Sequence, residues 1–226
     1  MIPLKDNIPA QRRSLVNTAL IVFNLGVFLC IVIGSRGEAS IFLHYSLIPA
    51  RITGGASHLS FIDRMIPLVT YMFLHGGWLH VLGNMWSLWI FGDNVEDHLG
   101  HLRYLLFYLS CGVAAASLHV LLNLGSRIPT VGASGAIAGV MGAYLVLYPR
   151  ARVLTLVPFF VIFPIIEIPA FFFLGAWFFI QFVNAFFGFL SGAHALAGIA
   201  WWAHVGGFVA GIVLLGLVGG RPRRSR

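Results

Sequence analysis

Charge is scarce in this sequence. Charged residues make up 9% of its 226 positions, against about 25% in an ordinary soluble domain. Acids are scarcer still: Asp6, Glu38, Asp63, Asp93, Glu96, Asp97 and Glu167 are the full set. None falls well inside a long apolar run. A mechanism needing two membrane carboxylates that share a proton is therefore excluded on inventory. The two cysteines, Cys30 and Cys111, lie within apolar runs and read as buried thiols, with no disulfide framework. No HExxH motif is present for zinc-dependent proteolysis. No convincing internal repeat supports an inverted-repeat transporter.

Apolar surface is what the chain has in excess. Hydrophobic residues make up 59% of it, and the mean hydropathy is +0.91. Apolar runs of about 20 residues read as membrane-spanning helices. Six are predicted, near 14–34, 77–96, 102–124, 131–148, 168–190 and 195–219. They are continuously apolar, without the alternation of an outer-membrane barrel. The expected fold is all-α: a polytopic six-helix bundle over residues 1–226, its core about 14–219, with short tails. Lys and Arg number ten on the side shared by the two termini and four on the other, so both termini are expected to be cytoplasmic. The formal charge of +7 needs no nucleic acid to explain it, and the tail "RPRRSR" reads as an anchor beside anionic lipid. The N-terminal stretch leads into a full-length span with no cleavage site after a short apolar core.

The connections are unequal. The first external loop, 35–76, is long and is expected to form short interfacial helices. The stretch "VPFFVIFPIIEIPA", residues 157–170, contains three prolines and cannot be one straight helix. It reads as a cytoplasmic re-entrant or interfacial segment. Asp93, Glu96 and Asp97 read as a solvated cytoplasmic face with an ion pair to Arg103. Glu167 is expected at the same interface, where its place before span five leaves a gating role open. His98, His101, His119 and His194 read as interfacial or packing residues.

Polar residues inside spans are costly unless paired or facing a cavity, so each is a functional candidate. In "GGWLHVLGNMWSLWIFG", His80 and Asn84 are four apart and share a helix face. Ser134 sits among glycines in "TVGASGAIAGVMGAY", and His204 lies in "AWWAHVGGFVAGIVLL". A serine hydroxyl needs a base to become a nucleophile, and histidine titrates near working pH. No acid is available to orient that imidazole, so neighbouring side chains must do so. A developing oxyanion needs donors placed in advance. His80, Asn84 and the Ser134 backbone N–H are the candidates. Gly135 and Gly139 form a small-residue face on span four. Ala200, Gly207 and Gly211 form one beside His204, and such faces let membrane helices approach closely. Gly132 and Gly135 leave room for a substrate backbone. Span four must begin below the membrane surface, in a wet cavity, for Ser134 to meet His204.

These motifs together resemble the rhomboid family of intramembrane serine proteases, in its bacterial six-span form. "GASGAIAG" matches the family's GxSG at Gly132 to Gly135, and "AHVGGFVAG" matches its span-six motif with the base at His204. "HGGWLHVLGNM" matches the span-two pattern, here His75, His80 and Asn84. "EDHLGHLRYLLFYL" and the long lead-in to span five resemble corresponding family segments. The resemblance implies cleavage of transmembrane substrates near the outer leaflet, with lateral access beside span five. One position departs: many members carry an aromatic four residues after the serine, stacked on the histidine, where this chain has Ala138. Either another aromatic replaces it, Phe182 or Trp202, or the imidazole is held more loosely. His75 and Trp78 are expected to fix the turn before span two. The implied partners are single-span or other transmembrane proteins and the lipid bilayer. No cofactor is implied, and no metal either, since no cysteine or carboxylate accompanies His75, His80 and His204. The implied location is a bacterial inner membrane. Two other classes remain: an inactive relative that binds transmembrane clients, and a small transporter.

Overall fold

The computed structural model describes residues 1–34, 38–54, 59–158, 161, 163–191 and 200–219. Strand β1 (Ile2–Asp6) precedes helix α1 (Leu15–Gly34). The first long connection then folds into α2 (Glu38–Tyr45), α3 (Pro49–Ile52), α4 (Phe61–Met65), α5 (Pro67–Thr70) and a 3-10 turn (Tyr71–Phe73). The remaining elements are α6 (Trp78–Leu99), α7 (His101–Leu121), α8 (Ser134–Leu147), β2 (Arg152–Leu156), β3 (Ile165–Pro169), α9 (Ala170–Leu190) and α10 (Trp201–Val218).

The fold is a mostly helical polytopic bundle, and α1, α6, α7, α8, α9 and α10 coincide with the six expected runs. By length and composition, α1, α7, α9 and α10 can each cross a membrane. Helix α6 joins them only when paired with 61–73, from which it is bent by 78°. Helix α8 is apolar but has 14 residues, about 21 Å of rise, short of the roughly 30 Å hydrocarbon layer. A short α8 agrees with a serine that starts below the surface. Residues 195–199 of the sixth expected span, Arg36, His194 and the basic tail lie outside the described residues.

Helix α8 sits at the centre. Every residue from Gly135 to Tyr144 is buried, with α6, α7 and α10 packed around it. The peripheral helices show why polarity was kept inside α1. Asn17, Leu20, Asn24, Phe28 and Ile31 recur at helical spacing and are buried; Val22, Phe23, Val32 and Ile33 face outward. Asn17 Nδ2 donates to the Leu88 carbonyl at 3.0 Å, and its Oδ1 accepts from the Tyr104 hydroxyl at 2.7 Å. Gly92 leaves the room: a Cβ there would fall 2.1 Å from Asn17 Oδ1.

Two expectations are corrected at one end of the bundle. Of the two readings of the proline-containing stretch, re-entrant or interfacial, the re-entrant one is corrected: residues 165–169 form strand β3, in a three-stranded antiparallel sheet of order β1-β2-β3. Prolines 158, 164 and 169 keep the chain extended, and extended backbone must find ladder partners. The edge strand tolerates Pro169. On this sheet Glu167 lies 3.6 Å from Arg152, both side chains exposed. Glu96 is not solvated either; it is 1% exposed. Its carboxylate accepts from the backbone N–H groups of Val16 and Asn17 at 2.9 and 2.7 Å and contacts His101 Nδ1. A helix start has amides with no internal acceptor, and a carboxylate there satisfies both amides and dipole. Arg103 instead donates to the Gly219 carbonyl.

These contacts gather β1, the ends of α6, α8 and α10, and the sheet at one end of the bundle. Asp6 accepts from Asn94 Nδ2 and from the Tyr144 hydroxyl. Burial pushes the Asp6 carboxyl above its ordinary range, with the Tyr144 hydrogen bond opposing. At the opposite end, Leu47 pairs with Thr130, so the long connection is tied to the segment that leads into α8.

Candidate active site

Ser134 is the first residue of α8, where the amides have no intrahelical acceptor. The preceding turn depends on Gly132, whose φ of +128° lies in the region that glycine tolerates and side chains rarely adopt. Its N–H donates to the Tyr71 carbonyl at 2.9 Å, and the Tyr71 hydroxyl donates to the Gly112 carbonyl at 2.8 Å. The 3-10 turn thus fixes the approach to Ser134 against α7.

His204 lies one turn into α10. Its Nε2 is 2.7 Å from Ser134 Oγ, although the residues are 70 apart in sequence. The glycines explain the approach. A Cβ at Gly207 would fall 1.9 Å from the Gly135 carbonyl oxygen, and one at Gly211 would fall 2.0 Å from that of Gly139. Such distances are impossible, so α8 and α10 meet backbone to backbone. Gly142 continues the seam, where a Cβ would lie 2.3 Å from the Phe208 carbonyl oxygen. Gly135 and Gly139 also pack closely on α7, where a Cβ would lie 2.7 Å from the Ala115 side chain and 2.5 Å from that of Cys111.

His80 enters from α6. A Cβ at Gly132 would lie 2.7 Å from His80 Nε2 and 3.6 Å from Ser134 Oγ, so both side chains face the same small space. His75 is buried and packs edge-to-face on His80, ring centroids 5.2 Å apart. Asn84 is one turn along α6 and buried. Its amide nitrogen has no hydrogen-bond partner among the described residues. Trp78, the first residue of α6, packs on Phe28 of α1 at 4.9 Å. Among the described residues, no group of three or more His, Cys, Asp or Glu is placed to hold a metal ion.

The surroundings of His204 differ from the expected ones. Phe182 and Trp202 pack against each other. The rings beside the imidazole are Trp177, at 5.9 Å and 34° between planes, and Trp201, at 6.2 Å and 85°. Helix α9 also brings Gln181, whose Oε1 lies 2.8 Å from His204 Nδ1. Gln181 is buried and four residues after Trp177, so the two share a face. Sequence reasoning passed over it, although a signal existed: a glutamine in the middle of "AFFFLGAWFFIQFVNAFFGFL" is a polar residue inside a span.

Comparison with known proteins bears on this arrangement. The family model described as Rhomboid domain matches residues 63–221, which takes in Ser134, His204, His80 and Asn84. The chain belongs to the rhomboid family. Rhomboid-like protein 11, chloroplastic, of Arabidopsis thaliana is 28% identical over 227 residues, covering 98% of this chain and 71% of that protein. RHOMBOID-like protein 6, mitochondrial, of the same plant is 42% identical over 78 residues, 34% of this chain and 25% of that protein. A Bacillus subtilis (strain 168) protein named "Putative rhomboid protease YdcA" is 37% identical over 84 residues, 34% of this chain and 39% of that protein. The shorter matches therefore span well under half of those rhomboid relatives.

Proposed function

We propose that this rhomboid is an intramembrane serine endopeptidase that hydrolyses peptide bonds in or near transmembrane segments of membrane proteins. The observation that carries the reading is the 2.7 Å contact between Ser134 Oγ and His204 Nε2. In the proposed reaction, Ser134 Oγ attacks the scissile carbonyl carbon while its proton passes to Nε2. The carbonyl oxygen becomes an oxyanion, with the His80 ring and the Asn84 amide as its donors, joined by the Ser134 backbone N–H. Collapse of the intermediate expels the amine, which takes the proton from Nε2 and leaves an acyl-serine ester. Water then attacks the ester, its proton going to the same nitrogen and from there to Ser134 Oγ as the acid product departs. Gly132 and Gly135 keep side chains away from the space a substrate backbone would occupy. His75 supports His80 by packing.

The reading extends to location: a bacterial inner membrane, with both termini cytoplasmic. The orientation is supported by one end of the bundle, which gathers Lys5 and Arg152 on the paired strands β1 and β2 with Arg103 beside the end of α10.

The test uses purified protein in lipid nanodiscs with a panel of single-span reporters, any cut being mapped by mass spectrometry. Ser134→Ala and His204→Ala should each lower cleavage by about 10⁴-fold or more with helix content unchanged by circular dichroism. Activity should fall on acidification, since a protonated imidazole cannot act as base. A serine-reactive fluorophosphonate should label the wild type and not Ser134→Ala. Robust proteolysis by folded Ser134→Ala overturns the serine mechanism, and absence of both labelling and cleavage in the wild type overturns the reading in favour of a client-binding relative.

A further inference from the structure

We infer that Gln181 is the positioning residue of the dyad, holding the His204 imidazole in the one tautomer that can accept the Ser134 proton; the inference rests on the protease reading above. The argument begins with hydrogen-bond inventory. The Gln181 atom facing His204 Nδ1 at 2.8 Å is Oε1, a carbonyl oxygen that can only accept. Nδ1 must therefore carry the hydrogen. In a neutral imidazole the other nitrogen is then the acceptor, and Nε2 is the nitrogen 2.7 Å from Ser134 Oγ. One amide oxygen thus decides which way the proton runs between serine and histidine.

Trp177 completes the clamp. Its ring lies across the imidazole at 5.9 Å and also packs on Phe208, one turn further along α10, at 6.1 Å. Trp177 restrains ring tilt, and Gln181 restrains rotation about the ring's own axis. Both come from one face of α9, whose buried residues include Phe173, Leu174, Gln181 and Ala185. When Nε2 takes the serine proton, the proton on Nδ1 stays bonded to Gln181, so the ring need not move during the step.

A neutral amide orients the imidazole without adding charge. The other titratable groups acting on His204 are two imidazoles, His80 on α6 and His119 on α7; α8 presents Ser134 and α9 presents the neutral Gln181. Among the described residues no carboxylate hydrogen-bonds to His204. This gives the proposal a test that a merely structural glutamine would not pass. Gln181→Glu keeps an acceptor but adds a negative charge, which favours the protonated imidazole. Its acidic limb in the pH–rate profile should move to higher pH by about one unit or more. Gln181→Leu removes the acceptor, and kcat should fall about tenfold to a hundredfold with KM little changed.

The experiment measures pH–rate profiles of wild type, Gln181→Glu and Gln181→Leu in nanodiscs, with Ser134→Ala as the inactive control. It also records ¹⁵N spectra of histidine-labelled protein, the His204 signals being assigned by their loss in His204→Asn. The expected spectrum is an Nδ1–H tautomer in the wild type, kept in Gln181→Glu at alkaline pH and lost in Gln181→Leu. Wild-type kcat in Gln181→Leu overturns the inference. So does an unshifted limb in an active Gln181→Glu, or an Nε2–H tautomer in the wild type. The spectra need no turnover, so a protein with the Nδ1–H tautomer but no cleavage would fail the protease reading while leaving the clamp standing.

Discussion

Of the three helices packed on α10, α8 and α9 hold it in opposite ways. Against α8 the contact is main chain on main chain, with no space for a β-carbon at Gly207 or Gly211. Against α9 the contact is made by large side chains, Trp177 and Phe178 on Phe208 and Trp177 on His204. Most of α9 faces outward: Phe171, Phe172, Phe179, Phe187 and Leu190 are each more than half exposed. The contrast separates two tasks. The seam with α8 sets the distance between Ser134 and His204, and the side chains of α9 set the orientation of the imidazole.

The hardest blow to this division falls on the seam. Gly211→Leu must push α10 away from the Gly139 carbonyl and should destabilise the protein by more than about 3 kcal/mol. In detergent it should lose cooperative thermal unfolding together with fluorophosphonate labelling. A folded Gly211→Leu protein that still labels would mean the seam does not set the distance. A smaller effect is expected on α6, which belongs to neither contact. Asn84→Ala should lower kcat more than it raises KM, because an oxyanion donor acts in the transition state. A single such donor is worth about 10²–10³-fold in soluble proteases, and a smaller loss is expected where His80 shares the load. Unchanged kcat in both Asn84→Ala and His80→Ala would remove α6 from the reaction. The least effect should come from the outer face of α9. Phe187→Ala, 64% exposed in the wild type, should change thermal stability in micelles by less than about 1 kcal/mol, since lipid and detergent replace its contacts. A loss as large as that of Gly211→Leu would show that α9 carries the fold as well as the orientation.

What could be read from the sequence follows the range of the forces involved. The apolar runs report the solvent, and the six helices formed where the runs lie. The glycine spacing on α8 and α10 reports a face, and that face became the seam. Ser134, His204, His80 and Asn84 carried local motifs; Ser134 meets His204, and His80 faces Ser134 beside Gly132. Pairings between distant segments were not legible. Glu96 looked solvated because its acceptor role is set by Val16 and Asn17, some 80 residues earlier. Strand β3 read as a re-entrant or interfacial segment because it is apolar on either side of Glu167, and the ladder with β2 that makes it a strand is a tertiary pairing. The aromatic expected on His204 was sought at Phe182 and Trp202, and Trp177 fills the place. Gln181 was visible as a polar residue in an apolar run, but only the partner across the helix pair gives it a role.

The backbone seam has a consequence for anyone wishing to move this site into another scaffold. Serine, histidine and glutamine can be copied as residues, but the separation between the first two is not a property of residues. It is the thickness of two bare helices. A host bundle with ordinary side chains between its helices would hold them at about 8–10 Å from axis to axis, and the serine and histidine would meet there at another offset and angle. The transplantable unit is the glycine-matched pair of α8 and α10, carried over whole.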